Sequence, residues 1–518
     1  MSKVAPTRQG TIIGAALLIT GSTYIAFTLG LVANALAART LGPDDFGRYA
    51  YVVWLSGVLV IIANNGLTTT AIRFISELRG AGRAGDVGAV HGWLWKRQLA
   101  SSLATVAAMG LGAALLTPSD WQAGLVVFAV VVAITVFAKS VYLFDVSAAK
   151  GHREFGVEAS STVALSVLNI AVVAALYWLH AGLLPFLWAF VAVSIGYAVV
   201  ARWLVRRRGI TASGEAVDPA LRARLGQHLF WTIILCLIAA FGNRAAETYL
   251  LNHLWTAADV GYFAIAAALC RGGAEMLTSG LNSVLMPLMA QGYGEDGVGR
   301  VREMLAASVR YFTFAGLVLA GIGAFWAEGL ITLIYGAKYQ AAIPVFQVMV
   351  VATGLGLSLG AFGAVLSTTD NQRVRATSAG ILVALGAGLA LALVPKFGLM
   401  GATASVAIGS VLSLAVVARI VNRTIGARLP WKELTRQALA ATLAAGVAAA
   451  VAFAWPHMLV KFAVGAGYVL LLTAASISFG AWTANDARLI LEFARRRPKQ
   501  LGWLARWIEG RGTGPQSR

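Results

Sequence analysis

The chain has only two cysteines, Cys236 and Cys270, and both lie inside apolar runs. They fall at different depths of those runs, so no disulfide framework is expected. Charge is also scarce. Asp, Glu, Lys and Arg make up 12% of the 518 residues, against 58% hydrophobic. A soluble domain has no use for that much apolar surface, whereas a chain that crosses a membrane many times does. The six histidines show no ligand spacing, so no metal site is expected. No Gly-Lys dipeptide occurs, which removes the loop G-x-x-x-x-G-K-[ST] and leaves no sign of an ATPase module. No cofactor is expected, and coupling to a proton or sodium gradient is left open.

Acids are scarcer than bases, 22 against 41, for a net charge of +19. The basic residues punctuate hydrophobic spans and do not gather on one face, so nucleic acid is not the expected partner. The apolar stretch 11–38 is too long for the core of a secretory signal and reads as a first span.

A helical crossing needs about 20 apolar residues. Fourteen spans result: 11–38, 50–72, 92–116, 121–147, 157–179, 182–203, 227–253, 261–290, 306–334, 341–366, 377–395, 398–421, 435–455 and 459–482. With both termini in the cytoplasm, most basic residues fall on the cytoplasmic side, among them Arg73, Arg79, Arg83, Lys96, Arg97, Arg202 and Arg206.

A short motif occurs twice. Asp45-Phe46-Gly47 follows the first span, and Asp259-Val260-Gly261 lies 214 residues later. The same offset carries spans one to six onto spans seven to twelve. This predicts two parallel six-helix lobes, 1–214 and 215–428. Spans thirteen and fourteen form an appended hairpin over 429–485. The segment 486–518 mixes Arg495, Arg496, Arg497 and Lys499 with Trp503 and Trp507, which suits a basic amphipathic tail on the inner leaflet.

Three segments carry a family resemblance. Arg39-Thr40-Leu41-Gly42-Pro43-Asp44-Asp45-Phe46-Gly47-Arg48-Tyr49 follows the first span. Ala149-Lys150-Gly151-His152-Arg153-Glu154-Phe155 follows the fourth, and Leu333-Ile334-Tyr335-Gly336-Ala337-Lys338-Tyr339 the ninth. Together they resemble the polysaccharide flippases of the multidrug/oligosaccharidyl-lipid/polysaccharide exporter superfamily, over essentially the whole chain. The resemblance implies an all-α polytopic membrane protein whose two lobes enclose a cavity with alternating access. It implies a sugar unit on undecaprenyl pyrophosphate as substrate, and a place in surface polysaccharide synthesis such as exopolysaccharide, O-antigen or lipopolysaccharide. It also implies a bacterial inner-membrane location, with a polysaccharide polymerase and export complex as candidate partners beside membrane lipids. Fourteen spans fit polysaccharide and lipid II flippases better than drug antiporters, which usually have twelve.

Ionisable residues inside a membrane are costly, so each is a functional candidate. Arg244 and Arg271 both fall about 15 Å from the outer boundary at 1.5 Å per residue. Two guanidinium forks suit a pyrophosphate. Glu247 lies three residues after Arg244, and Glu275 four after Arg271. These spacings allow charge pairing within each helix or proton coupling. Asn34, Asn65 and Asn243 are candidate sugar contacts, although such residues also join helices. Lys139 either meets substrate or snorkels to the cytoplasmic interface. Arg39, Asp44, Asp45 and Arg48 are a candidate outer gate. A lipid II flippase and a small-molecule antiporter are rival readings within the fold. From another class, a polyprenyl-phosphate glycosyltransferase would use acids in an early external loop, but it usually needs larger external loops. A purely structural scaffold would tolerate cavity mutations.

Overall fold

Helical runs of 54 to 78 residues are too long to cross a membrane once. The first, α1 (Gln9–Asn64), would be about 84 Å long if straight, against a hydrocarbon core of ~30 Å. It folds at Gly42, where φ is 73° and ψ 176°, a conformation that a side chain resists. Pro43 then starts the next helix, where its missing N–H costs nothing. α9 (Ala257–Ile334) leaves helical geometry at Asp296 and Gly297, and α12 (Gln372–Ile425) at Gly398.

The computed structural model describes residues 9–116, 124–242, 244–369, 371–455, 457–483 and 486. The remaining helices are α2 (Leu67–Gly80), α3 (Ala84–Leu116), α4 (Leu125–Gly151), α5 (Gly156–Trp178) and α6 (Leu183–Arg207). They continue with α7 (Pro219–Gly242), α8 (Ala245–Leu254), α10 (Ala342–Gly356), α11 (Leu359–Thr368), α13 (Trp431–Ala454) and α14 (Met458–Ser478). Among the described residues there is no strand, and eleven stretches are long and apolar enough to cross a membrane. Two of them contain a fold, at Gly42 and Gly398, and α3 adds a further crossing. Among the described residues the protein is an all-α, multi-pass membrane protein, with about fourteen crossings when these folds and α3 are counted, in line with the hydropathy.

Three spans expected to be continuous are broken. Span 50–72 breaks at Asn65–Gly66, span 227–253 at Arg244, and span 341–366 at Leu357–Ser358. The expected tail helix lies outside the described residues, apart from Asp486 at its start.

Two compact units emerge. The first comprises Met1–Ala268, Ile331–Val345 and Ala376–Gly409. In it α1 packs on α5 and α4, and α4 packs on α2, α3 and α6. Leu67, Phe74 and Ile75 of α2 join Val90 and Leu94 of α3, Phe144 of α4 and Leu225 of α7 in a core at the Arg-rich end of these helices. We call this the basic end, and the end bearing Gly42 the turn end.

The second unit comprises Leu269–Leu330, Phe346–Arg375 and Ser410–Arg518. Here α13 and α14 form a hairpin through Ala440, Ala444, Ala448 and Leu472. Small side chains let helices approach closely where lipid supplies no hydrophobic drive. The hairpin is tied to α9: the Tyr468 hydroxyl donates to the Leu317 carbonyl at 3.1 Å, and the Trp326 indole donates to the Phe462 carbonyl at 2.9 Å.

Candidate functional site

The two copies of the Asp-x-Gly motif start helices in related ways. Thr256 caps the N-terminus of α9: its hydroxyl accepts from the Asp259 N–H at 3.2 Å, while the Asp259 carboxylate accepts from the Thr256 N–H at 3.3 Å. Position 42 is the counterpart of Thr256, but it is Gly, which has no hydroxyl. Asp45 instead accepts an ion-paired hydrogen bond from Arg48 at 3.1 Å. Both acids sit in the first helical turn, where the positive end of the helix dipole favours them.

Within the first unit the two copies meet. A Cβ on Gly47 would lie 1.7 Å from the Ala257 carbonyl oxygen. A Cβ on Gly261 would lie 2.9 Å from the Pro43 carbonyl oxygen and 3.3 Å from the Gly47 Cα. The third hallmark segment closes over them. The Arg39 guanidinium donates to the Ile334 carbonyl at 2.9 Å and also to that of Leu333. It thereby satisfies carbonyls that the C-terminus of α9 leaves unpaired. The Tyr335 hydroxyl donates to Asn34 Oδ1 at 3.3 Å, and the Tyr339 hydroxyl to the Ala38 carbonyl at 2.7 Å. The Tyr339 ring meets Phe46 and Tyr262 edge-on at 6.0 and 6.1 Å.

The expected outer-gate residues are thus at this seal, with different partners. Arg39 holds carbonyls, Arg48 and Asp45 pair within one helix, and Asp44 is exposed beside Tyr262. Asn34, expected as a sugar contact, holds Tyr335. Tyr335 and Tyr339 were missed as site residues, although both stand in the third family segment.

Two helix breaks interrupt crossings in the first unit. At the first, Asn65 and Gly66 are left-handed, with φ of 49° and 73°. Gly66 lies beneath α7, since a Cβ there would fall 2.4 Å from Thr232 Cγ2. Neighbouring Asn64 is buried, and its Oδ1 has no hydrogen-bond partner.

At the second break Arg244 is left-handed (φ 54°, ψ 36°) and forms the N-cap of α8. This corrects the continuous seventh span. α8 has ten residues, so Arg244 still lies about 15 Å from its far end at Leu254. Its guanidinium lies 5.9 Å from the Phe263 ring centre and acts electrostatically on Glu247. Glu247 is buried, and the Ser405 hydroxyl donates to it at 3.4 Å. Asn243 lies outside the described residues.

Arg271 belongs to the second unit. Arg271 and Glu275 are both exposed, and among the described residues neither is ion-paired. The i,i+4 pairing expected there is not formed. Lys139 does not snorkel to the basic end. It stands midway along α4 with its ammonium 4.2 Å from the Phe190 ring centre, a cation–π contact.

One buried pair was missed. Asp145 on α4 is fully buried and meets Arg202 Nε of α6 at 2.8 Å. The signal was present, since Asp145 is the one acid in the span 121–147.

A family model described as polysaccharide biosynthesis protein matches residues 36–344, more than half of the chain and the whole of all three motif segments. No curated protein sequence matches. Solved structures share the fold. A lipid II flippase, MurJ, in an inward closed conformation superposes with TM-score 0.68 at 13% identity, covering 88% of this chain and 98% of that one. An inward-facing multidrug resistance MATE family transporter of the MOP superfamily gives TM-score 0.63 at 14% identity, covering 80% and 98%. A point mutant of the Vibrio cholerae MATE transporter VcmN gives 0.56 at 15% identity, covering 81% and 99%. The superfamily resemblance read from the motifs therefore agrees with both the family match and the fold.

Proposed function

The chain belongs to the polysaccharide biosynthesis protein family, and from that premise we propose that it is a flippase for undecaprenyl-pyrophosphate-linked oligosaccharide units. It moves them from the cytoplasmic to the outer leaflet of the bacterial inner membrane by alternating access. The basic end faces the cytoplasm with both termini, and the turn end faces outward.

The observation that carries this reading is the helix break at Arg244. A half-helix that begins inside the membrane points unpaired N–H groups and the positive end of its dipole at whatever lies beyond it. Placing a guanidinium at that N-cap makes the position suited to an anion. A pyrophosphate is the one strongly anionic part of a lipid-linked sugar. Arg271, exposed on α9, is assigned a phosphate contact only by its depth in the sequence. Glu247 holds Arg244 when substrate is absent and is the group we assign to proton or sodium coupling. The seal at Arg39, Tyr335 and Tyr339 is the outer gate, which must open for release. A polysaccharide polymerase and export complex would take up the flipped unit.

The test is a deletion strain complemented with variants. Loss of the protein is expected to leave the lipid-linked repeat unit on the cytoplasmic face, out of reach of an external label. The wild type restores labelling and Arg244→Ala does not. Accumulation of lipid II instead would replace the proposed substrate, and sugar transfer by the purified protein would overturn the reading altogether.

A further inference from the structure

The first unit carries a groove that the proposed transport does not use. α3 and α6 both pack on α4, and between them opens an apolar cleft of about 500 Å³. Leu103 of α3, Ile134, Phe137 and Val141 of α4, and Ile195 and Ala198 of α6 line it, with no polar side chain among the lining residues. A volume of this size is in the range of ligand sites.

The helical register places charge at one end of the groove only. Arg202 follows Ile195 by seven residues and Ala198 by four, so it shares their face of α6. Asp145 follows Val141 by four on α4, and Lys96 precedes Leu103 by seven on α3. Each spacing sets the charged group about 6–10 Å nearer the basic end than the lining. Arg202 spends Nε on Asp145, and its guanidinium lies 3.9 Å from the Trp95 ring centre. Its Nη2 is buried without a hydrogen-bond partner, while the side chain as a whole is 28% exposed, so a headgroup reaches the guanidinium from its open edge. Lys96 is exposed. Arg97 on Trp93 and Arg207 on Trp203 extend the same arginine–tryptophan belt. Asp145 is already neutralised by Arg202, so the end of the groove carries net positive charge.

We propose that this groove binds an anionic glycerophospholipid from the leaflet at the basic end, with an acyl chain in the cleft and the phosphate on Arg202 and Lys96. The depth selects this occupant. Along α4 the lining runs from Ala133 to Val141, about 12 Å. That is close to one leaflet of a ~30 Å core and far short of a long polyprenyl chain. A symmetric second copy would oppose Lys96 to its own counterpart, which is repulsive. An anionic headgroup answers the orphan donor and the exposed ammonium together.

The test uses the full-length protein in detergent, exposed to equal phosphatidylglycerol and phosphatidylcholine of the same acyl chains and weighed by native mass spectrometry. Phosphatidylglycerol is expected to be retained at least fivefold over phosphatidylcholine. Lys96→Gln should cut that preference at least threefold. Ala198→Trp, which fills the cleft, should abolish it without lowering the unfolding temperature. If that variant folds poorly, Ile195→Trp at the rim serves the same purpose. Equal retention of the two lipids, or a preference untouched by all three substitutions, overturns the proposal. So does displacement of phosphatidylglycerol by equimolar undecaprenyl phosphate, or a dimer that the cleft variants dissolve.

Discussion

Gly47 and Gly261 are equivalent positions of the internal repeat, and they pack against each other. The space a side chain on either would need is filled by backbone: the Ala257 carbonyl for Gly47, and Pro43 and Gly47 itself for Gly261. The motif repeats for a physical reason, because each copy is the surface the other fits.

Gly47→Ala is expected to disrupt this contact. Backbone cannot swing aside as a side chain can, so the cost should be about 1–3 kcal/mol. The outer seal should loosen, seen as faster amide hydrogen exchange over residues 39–49. Gly57→Ala, with open space around it inside α1, is the control and should leave the exchange unchanged and keep or slightly raise stability.

Arg244 combines a backbone strain with a charge, and the two separate by mutation. Left-handed geometry costs a side chain about 1 kcal/mol relative to glycine. Arg244→Gly relieves that strain but leaves the buried Glu247 without its neighbouring charge, so the double variant Arg244→Gly/Glu247→Gln should keep or raise the unfolding temperature while transport in both variants falls at least tenfold. Arg244→Lys keeps a charge without the planar fork and should fall between. Transport by Arg244→Gly at the wild-type level would remove the anion-binding role.

The Asp145–Arg202 pair should behave as a buried ion pair. Asp145→Leu leaves Arg202 uncompensated and should destabilise the protein by about 3–5 kcal/mol in denaturant. Adding Arg202→Met should recover most of that loss. A strictly additive double mutant would show that the two groups are not coupled.

Asp486 anchors the segment after α14 to α9. Its carboxylate accepts from Arg310 Nη2 at 3.0 Å, from the Tyr311 hydroxyl at 2.5 Å and from the Thr483 hydroxyl at 2.6 Å. Burial works to raise its pKa, but these hydrogen bonds outweigh burial and hold it below the ordinary 3.8. A carboxyl depressed on folding contributes stability that is complete above its unfolded value and fades as pH falls through the folded one. The wild type should thus lose stability below about pH 4 more steeply than Asp486→Asn, measured by thermal unfolding across pH.

The sequence was enough for the class of protein and the number of crossings. Apolar runs, Gly42, Gly297 and Gly398 set where the chain must turn, because a membrane admits only helices of limited length. The spacing of 214 residues also picked out two motif copies whose glycines meet in the fold. Periodicity could not disclose where those helices break. Asn65 and Arg244 stand in more polar stretches of their runs, beside Gly66 and Gly242, but that polarity alone does not set their left-handed geometry, which depends on what packs around them. Nor could spacing predict partners. Arg271 and Glu275 have the right interval and stay apart. Arg39 binds carbonyls 294 and 295 residues away, and Asp145 finds its arginine on another helix. Hydropathy is a property of each segment, fixed by its residues. A seal, a buried pair or a lipid groove is a property of segments brought together, so only the packed fold decides it.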